Sequence, residues 1–95
     1  MKMSEVVLER LYRYRLDFDA DDDKVDAFIQ RNTGYAPFGV SSHERKDNWP
    51  GVEVEQFRGT AASSPYLVFE GTGKHMVEKA VAKTATYIQR IGRVL

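Results

Sequence analysis

The sequence contains no cysteine, and no stretch of its 95 residues approaches the ~20 consecutive apolar residues of a membrane-spanning helix. The absence of cysteine excludes disulfide scaffolds, thiol chemistry and cysteine-ligated zinc. Charged residues, namely Glu5, Glu9 and Arg10, interrupt the first ten positions, so they do not form the apolar core of a signal peptide. We therefore expect a cytoplasmic protein without a membrane partner.

An excess of charge of one sign is also missing, since 14 Lys and Arg residues balance 14 Asp and Glu residues. This balance removes bulk basicity as an argument for nucleic-acid binding. The two signs are nevertheless segregated along the chain. Residues 17–26 hold six Asp and one Lys, a balance of −5, whereas residues 74–93 hold five Lys or Arg and one Glu, a balance of +4. These segments either neutralise each other in the fold or form two separate charged surfaces, and both arrangements stay open here.

Alternation of apolar and charged residues predicts the first strand. The apolar members are Tyr12, Tyr14, Leu16 and Phe18. A period of two with aromatic residues is typical of a half-buried strand, so we expect one over residues 8–19. A helical start over residues 4–11 is the alternative. A helix is expected next, over residues 22–33, because acidic residues precede apolar positions at helical spacing and Gly34 follows as a terminator.

The second half predicts three short strands and one long helix. The strands are expected over residues 38–46, 52–57 and 66–69, with a Pro-Gly turn over residues 48–51. The helix is expected over residues 74–91, because its apolar positions recur every three or four residues. Those positions are Val77, Val81, Thr84, Ile88, Ile91 and Leu95.

The order β-α-β-β-β-α predicts a small two-layer α+β fold for residues 1–95 as a single domain. Three or four antiparallel strands would form one layer, with both helices packed on one face. The other face of the sheet would be polar, and would carry Arg13, Arg15, Glu53 and Glu55.

A glycine-containing turn before the last helix is a candidate anion site. Gly71, Gly73 and Lys74 lie between a predicted strand and a predicted helix, where backbone N–H groups can meet an anion. The alternative is an ordinary glycine turn.

The α-β-β-β-α order of residues 21–91 resembles the element order of double-stranded-RNA-binding domains. The resemblance is one of topology alone, because that family has consecutive lysines at the start of its second helix, where residues 74–77 here read Lys-His-Met-Val.

The last helix carries a second stripe, formed by Lys79, Lys83 and Arg90, on the side opposite its apolar face. Lys79 and Lys83 repel each other at spacing i, i+4, so the stripe does not stabilise its own helix. It is either a solvated face or a surface for phosphate or an acidic partner. Trp49 in the Pro-Gly turn is either folded onto the core or an exposed anchor for a partner.

No residue set in the sequence has the pattern of a catalytic or metal site. An EF-hand loop counted from Asp17 fails at its sixth and twelfth positions, which hold Asp22 and Phe28. His43 and His75 have no partner at the spacing of a metal site or a triad. We assign no catalytic residue, no metal ligand and no cofactor.

Three classes of function remain. The first is a non-catalytic protein that binds a protein partner through Trp49, Lys79, Lys83 and Arg90, as an accessory subunit or a virus-encoded inhibitor does. The second is a nucleic-acid or phosphate-binding domain that uses the basic face of the last helix. The third is an enzyme that uses the aspartates or His75. The apolar stripe toward Leu95 and the open edges of a sheet also suit homo-oligomerisation.

Overall fold

The structure, a computed structural model, describes residues 10–34 and 46–95. Within these ranges the chain forms four strands and two helices in the order β-α-β-β-α-β. They are β1 (Tyr12–Asp19), α1 (Asp22–Asn32), β2 (Glu53–Phe57), β3 (Tyr66–Gly71), α2 (Lys74–Ile91) and β4 (Arg93–Val94). The predicted α+β class with an antiparallel sheet is confirmed.

The four strands form one antiparallel sheet in the order β2-β3-β1-β4. β1 lies beside β3 in a register that places Leu16 opposite Leu67 and Tyr14 opposite Phe69. Because side chains alternate between the faces of a strand, this register puts Leu16 and Phe18 of β1 on the same face as Leu67 and Phe69 of β3. The charged residues of β1 are thereby directed to the other face.

One hydrophobic core lies between this face of the sheet and the two helices. The sheet contributes Leu16, Phe18, Leu67 and Phe69, and the helices contribute Val25, Ile29, Val77, Ala80 and Ile88. Trp49 joins the same core from the turn before β2. Both helices therefore pack on one face of the sheet, as the amphipathic spacing of their sequences predicts.

The opposite face is polar, as expected. The register places Glu70 of β3 between Arg13 and Glu53, and Val68 between Arg15 and Glu55. All four of the predicted residues, Arg13, Arg15, Glu53 and Glu55, are exposed. An aromatic patch also lies on this face, where Phe57 stacks on Tyr66 with ring centroids 4.6 Å apart.

Local signals explain the ends of α1. Asp21 caps the helix, since its carboxylate accepts hydrogen bonds from the N–H groups of Asp23 at 2.8 Å and Lys24 at 3.2 Å. At the other end Gly34 adopts a φ of 79°, the left-handed geometry that glycine accepts at low cost. The predicted helix over residues 22–33 is thus one residue too long, because Thr33 is the C-cap.

The remaining predictions differ in their accuracy. The helix over residues 74–91 is confirmed at both ends, and the strands predicted over 52–57 and 66–69 are observed as β2 and β3. The first strand begins at Tyr12 rather than near residue 8. Residues 1–9 and 35–45 lie outside the described residues, and with them most of the strand predicted over 38–46. None of the helices within the described part of the chain has the length and apolar character to cross a bilayer.

Strand β4 was not predicted. The helix ends at Ile91, and Val94 and Arg93 then lie opposite Phe18 and Asp19 of β1. Leu95 is therefore not part of the apolar helix face, and it is 58% exposed. A side chain at Gly92 would overlap the carbonyl oxygen of Asp19, so glycine at this position permits the close approach of β4 to β1.

We expect Gly71→Ala to destabilise the fold, because the new Cβ would lie 2.7 Å from the carbonyl oxygen of Gly51 and 2.9 Å from a methyl group of Val77. The cost should be about 1–3 kcal/mol in the free energy of unfolding, measured by urea denaturation. Gly73→Ala is the matched control, since its new Cβ would meet only the Cβ of Met76, at an ordinary contact distance of 3.8 Å. Equal effects of the two substitutions would contradict the assigned packing at Gly71.

Candidate functional site

A groove of about 500 Å³ lies between α1, α2 and the turn that precedes β2. Nine residues line it: Phe28, Asn32, Asn48, Trp49, Lys79, Lys83, Thr86, Tyr87 and Arg90. We call these nine residues the basic groove. The structure thus brings together Trp49, Lys79, Lys83 and Arg90, the four residues for which the sequence suggested partner binding.

The cations of the basic groove form a row on α2. Lys79, Lys83 and Arg90 are exposed, and Thr86 completes the row at spacings of four, three and four residues. At a rise of 1.5 Å per residue the row is about 16 Å long. None of the three cations forms an ion pair with a residue in the described ranges 10–34 and 46–95.

Three aromatic rings form the floor of the basic groove. Phe28 stacks on Tyr87 with ring centroids 4.3 Å apart and planes 11° apart, and it meets Trp49 at 6.1 Å and 51°. Trp49 is only 1% exposed. Of the two interpretations that the sequence allowed, Trp49 is therefore a core residue. In any binding it would support the groove rather than insert into a partner.

The turn that carries Trp49 is fixed to the end of α1. The backbone N–H of Asn48 donates to the carbonyl of Asn32 at 2.8 Å, and the two side-chain amides are joined at 2.9 Å. Within the turn, the N–H of Val52 donates to the carbonyl of Trp49 at 3.1 Å, and Gly51 adopts a φ of 80°. This geometry confirms the turn predicted over residues 48–51, with the pattern of a type II turn.

A second groove, of about 430 Å³, adjoins the first. It shares Phe28, Asn32, Asn48 and Tyr87, and adds the exposed cations Arg31 and Lys46. The two grooves together are lined by five cations and, among the described residues, by no carboxylate. A continuous positive potential is therefore expected along this side of the molecule.

The carboxylates of the acidic segment do not line the basic groove and contact other residues. Arg58 contacts Asp23 at 2.9 Å and Asp26 at 3.8 Å. The hydrogen bond to Asp23 raises the pKa of Arg58 above its ordinary value. Asp22 accepts from the backbone N–H of Gly59 at 3.3 Å. The acidic start of α1 is thus tied to the residues that follow β2.

The strand aspartates are paired in the same local way. Arg15 contacts Asp17 at 2.7 Å, and this hydrogen bond raises the pKa of Arg15. Arg93 contacts Asp19 at 3.6 Å. In the described part of the chain, this last contact is the single ion pair between residues 17–26 and residues 74–93. In the described residues the two charged segments therefore neutralise each other only through Asp19 and Arg93.

The acidic cluster does not form a metal site in the described ranges, where no three His, Asp or Glu side chains are placed to hold a metal ion. Within the cluster, Asp21 caps α1, and Asp23 and Asp26 contact Arg58.

The residues suggested for anion binding lie away from the basic groove. Gly71 is a buried residue of β3 opposite Tyr12, and the close approach of Gly51 explains its lack of a side chain. Gly73 is the N-cap of α2 and is exposed, and Lys74 approaches Glu78 at 4.0 Å. Anion binding at Gly71, Gly73 and Lys74 stays a prediction, while the packing accounts for Gly71.

Sequence reasoning missed several residues of this region. Phe28 and Tyr87 are far apart in the sequence, so no local pattern indicates that their rings stack. The Asn32–Asn48 contact is likewise long-range.

We expect Lys83→Gln to leave the fold intact and to raise the free energy of unfolding by about 0.2–0.5 kcal/mol, because it removes the repulsion from Lys79. Arg58→Gln should instead lower the free energy of unfolding, since Asp23 and Asp26 lose their cation. Urea denaturation at low salt measures the stability of the two variants. A clear loss of stability in Lys83→Gln would show that this lysine has a structural partner.

A double-mutant cycle tests the floor of the groove. Phe28→Leu and Tyr87→Leu should show a coupling energy of about 1 kcal/mol, because the stacked rings are in direct contact. Tyr87→Phe keeps the ring and is the control, with a stability close to that of the unmodified protein. Additive effects of the two leucine substitutions would contradict the stacking.

The comparisons with known proteins give no match to this chain, whether with family models, curated proteins or solved structures. The likeness to double-stranded-RNA-binding domains is not supported by these comparisons, and the described residues place two strands, β2 and β3, between the helices. The geometry of the basic groove is the basis on which a function can be argued.

Proposed function

We propose that this protein is a non-catalytic interaction protein, of the accessory-subunit or virus-encoded-inhibitor type, that binds an acidic protein partner in the basic groove. One observation carries the proposal: five cations line the two adjoining grooves, with no carboxylate among the described lining residues. Cations that have no partner in their own fold are available to a partner of opposite charge.

The composition of the basic groove supports binding rather than catalysis. Its lining residues include neither a histidine nor a carboxylate, the groups that most often serve as general acids and bases. A volume of about 500 Å³ with an aromatic floor and a charged rim is instead typical of a binding site.

The aromatic rings favour a protein partner over a nucleic acid. Single-stranded nucleic acids are bound by aromatic rings that offer an open face to the bases. Here Trp49 is 1% exposed, and Phe28 and Tyr87 cover one face of each other. The groove therefore offers little stacking surface for bases, while its rings still provide apolar contact for protein side chains.

The spacing of the cations favours several separate anionic groups over a single phosphate group. Sites for one phosphate commonly combine a helix N-terminus with cations that converge on it. The three cations of α2 that line the basic groove are instead spread over about 16 Å. Spread charges suit several separate carboxylates.

Affinity capture from lysate of the source cell, with and without nuclease, tests the proposal. Lys83→Glu should reduce the captured partner more than roughly tenfold, because it places like charge in the groove. Lys74→Glu is the matched control, since it reverses an exposed lysine of the same helix outside the groove. It should retain the partner.

Two results would contradict the proposal. The first is capture of nucleic acid alone, abolished by nuclease, which would favour the nucleic-acid alternative. The second is capture that Lys83→Glu and Lys74→Glu affect equally, which would show that the partner does not bind in the basic groove.

A further inference from the structure

The row of cations on α2 has a geometry that selects the conformation of its partner. Lys79, Lys83, Thr86 and Arg90 recur at spacings of four, three and four residues. On a helix these positions lie within an arc of about 60°. The same spacing keeps two helices in contact when they pack side by side, as in a coiled coil.

An extended partner would match only part of this row. Side chains on one side of a strand recur about every 6.8 Å. That repeat is close to the ~6 Å axial separation of Lys79 and Lys83, but Arg90 lies ~16 Å from Lys79, between two and three repeats. A helix with the same four-three-four spacing matches all the positions.

The surroundings of the row can hold side chains of a helical partner, but not the partner's main chain. A groove of about 500 Å³ spread over ~16 Å accepts a few side chains, so the main chain of the partner would lie above it. The Phe28–Tyr87 pair offers an apolar contact beside Thr86. Arg31 and Lys46 provide further positive charge in the adjoining groove, which shares Phe28 and Tyr87. A helix that is acidic at its edges and apolar at its centre is complementary to this surface.

We infer that the basic groove receives an acidic amphipathic α-helix of the partner protein, which lies along α2. Its carboxylates meet Lys79, Lys83 and Arg90 at positions i, i+4 and i+11, or in the reverse order for an antiparallel helix, and an apolar residue meets the Phe28–Tyr87 pair. This inference rests on the proposed function, that the groove binds an acidic protein, and adds the conformation and spacing that it recognises.

Three synthetic peptides of about 18 residues test the inference with the full chain. The first carries glutamates at the matched spacing with a central leucine. The second has the same composition with its glutamates distributed around the helix, and the third is the first with a central proline. Trp49 is the single tryptophan of the chain and lines the groove, so its fluorescence reports binding of tryptophan-free peptides.

The matched peptide should bind roughly tenfold more tightly than either of the others, because only it presents all carboxylates on one helical face. Its circular dichroism should show added helix in the complex. Lys79→Gln/Lys83→Gln should weaken its binding about fivefold. Arg10→Gln/Arg13→Gln removes the same charge at exposed positions outside both grooves and should leave the affinity unchanged.

The failures of the two proposals are distinguishable. Equal binding of the three peptides, still dependent on Lys79 and Lys83, would overturn the helical inference and leave the acidic-partner proposal standing. Absence of binding by all three would also overturn the inference, while lysate capture would decide the proposed function separately. Tighter binding of a single-stranded oligonucleotide of equal charge would overturn both.

Discussion

Trp49 stands in a four-residue turn, yet it has the largest of the fully buried side chains in the described residues. Burial of a large aromatic side chain contributes ~1.5–3 kcal/mol or more, which is substantial for a domain of this size. It also fixes the position of the turn against Phe28 of α1. The contact is therefore structural first, and the basic groove exists because the turn is held there.

The surrounding residues depend on that contact. Asn48 joins the turn to Asn32 through backbone and side-chain hydrogen bonds, and Gly71 lacks the side chain that would collide with Gly51. The turn, the end of α1 and α2 thus meet in one arrangement. The cations of α2 face solvent beside it, with no carboxylate among the described lining residues. The chain has no net charge, yet the surface around the basic groove is rich in cations.

Much of the fold was predictable because its signals are local. The four-three spacing of apolar residues indicated α2, and the alternation before Asp19 indicated β1. Strand β4 was not predictable in the same way, since two residues carry no periodicity and their pairing depends on the approach of Gly92 to Asp19. The exposed cations of the groove were visible as a stripe, whereas its floor, the Phe28–Tyr87 pair, is a long-range contact without a sequence pattern.

Lys79, Lys83 and Arg90 have no ion-pair partner among the described residues, whereas Arg15, Arg58 and Arg93 contact carboxylates. The proposed function depends on this difference in pairing. Exchange of the arginine Nε–H protons with water, measured by side-chain NMR, tests it most directly. The Nε–H of Arg15 donates to Asp17 at 2.7 Å, so its exchange should be slow, whereas Arg90 should exchange at nearly the rate of free arginine. Protection of Arg90 equal to that of Arg15 would contradict the account, because this groove cation would then already have a partner within its own fold.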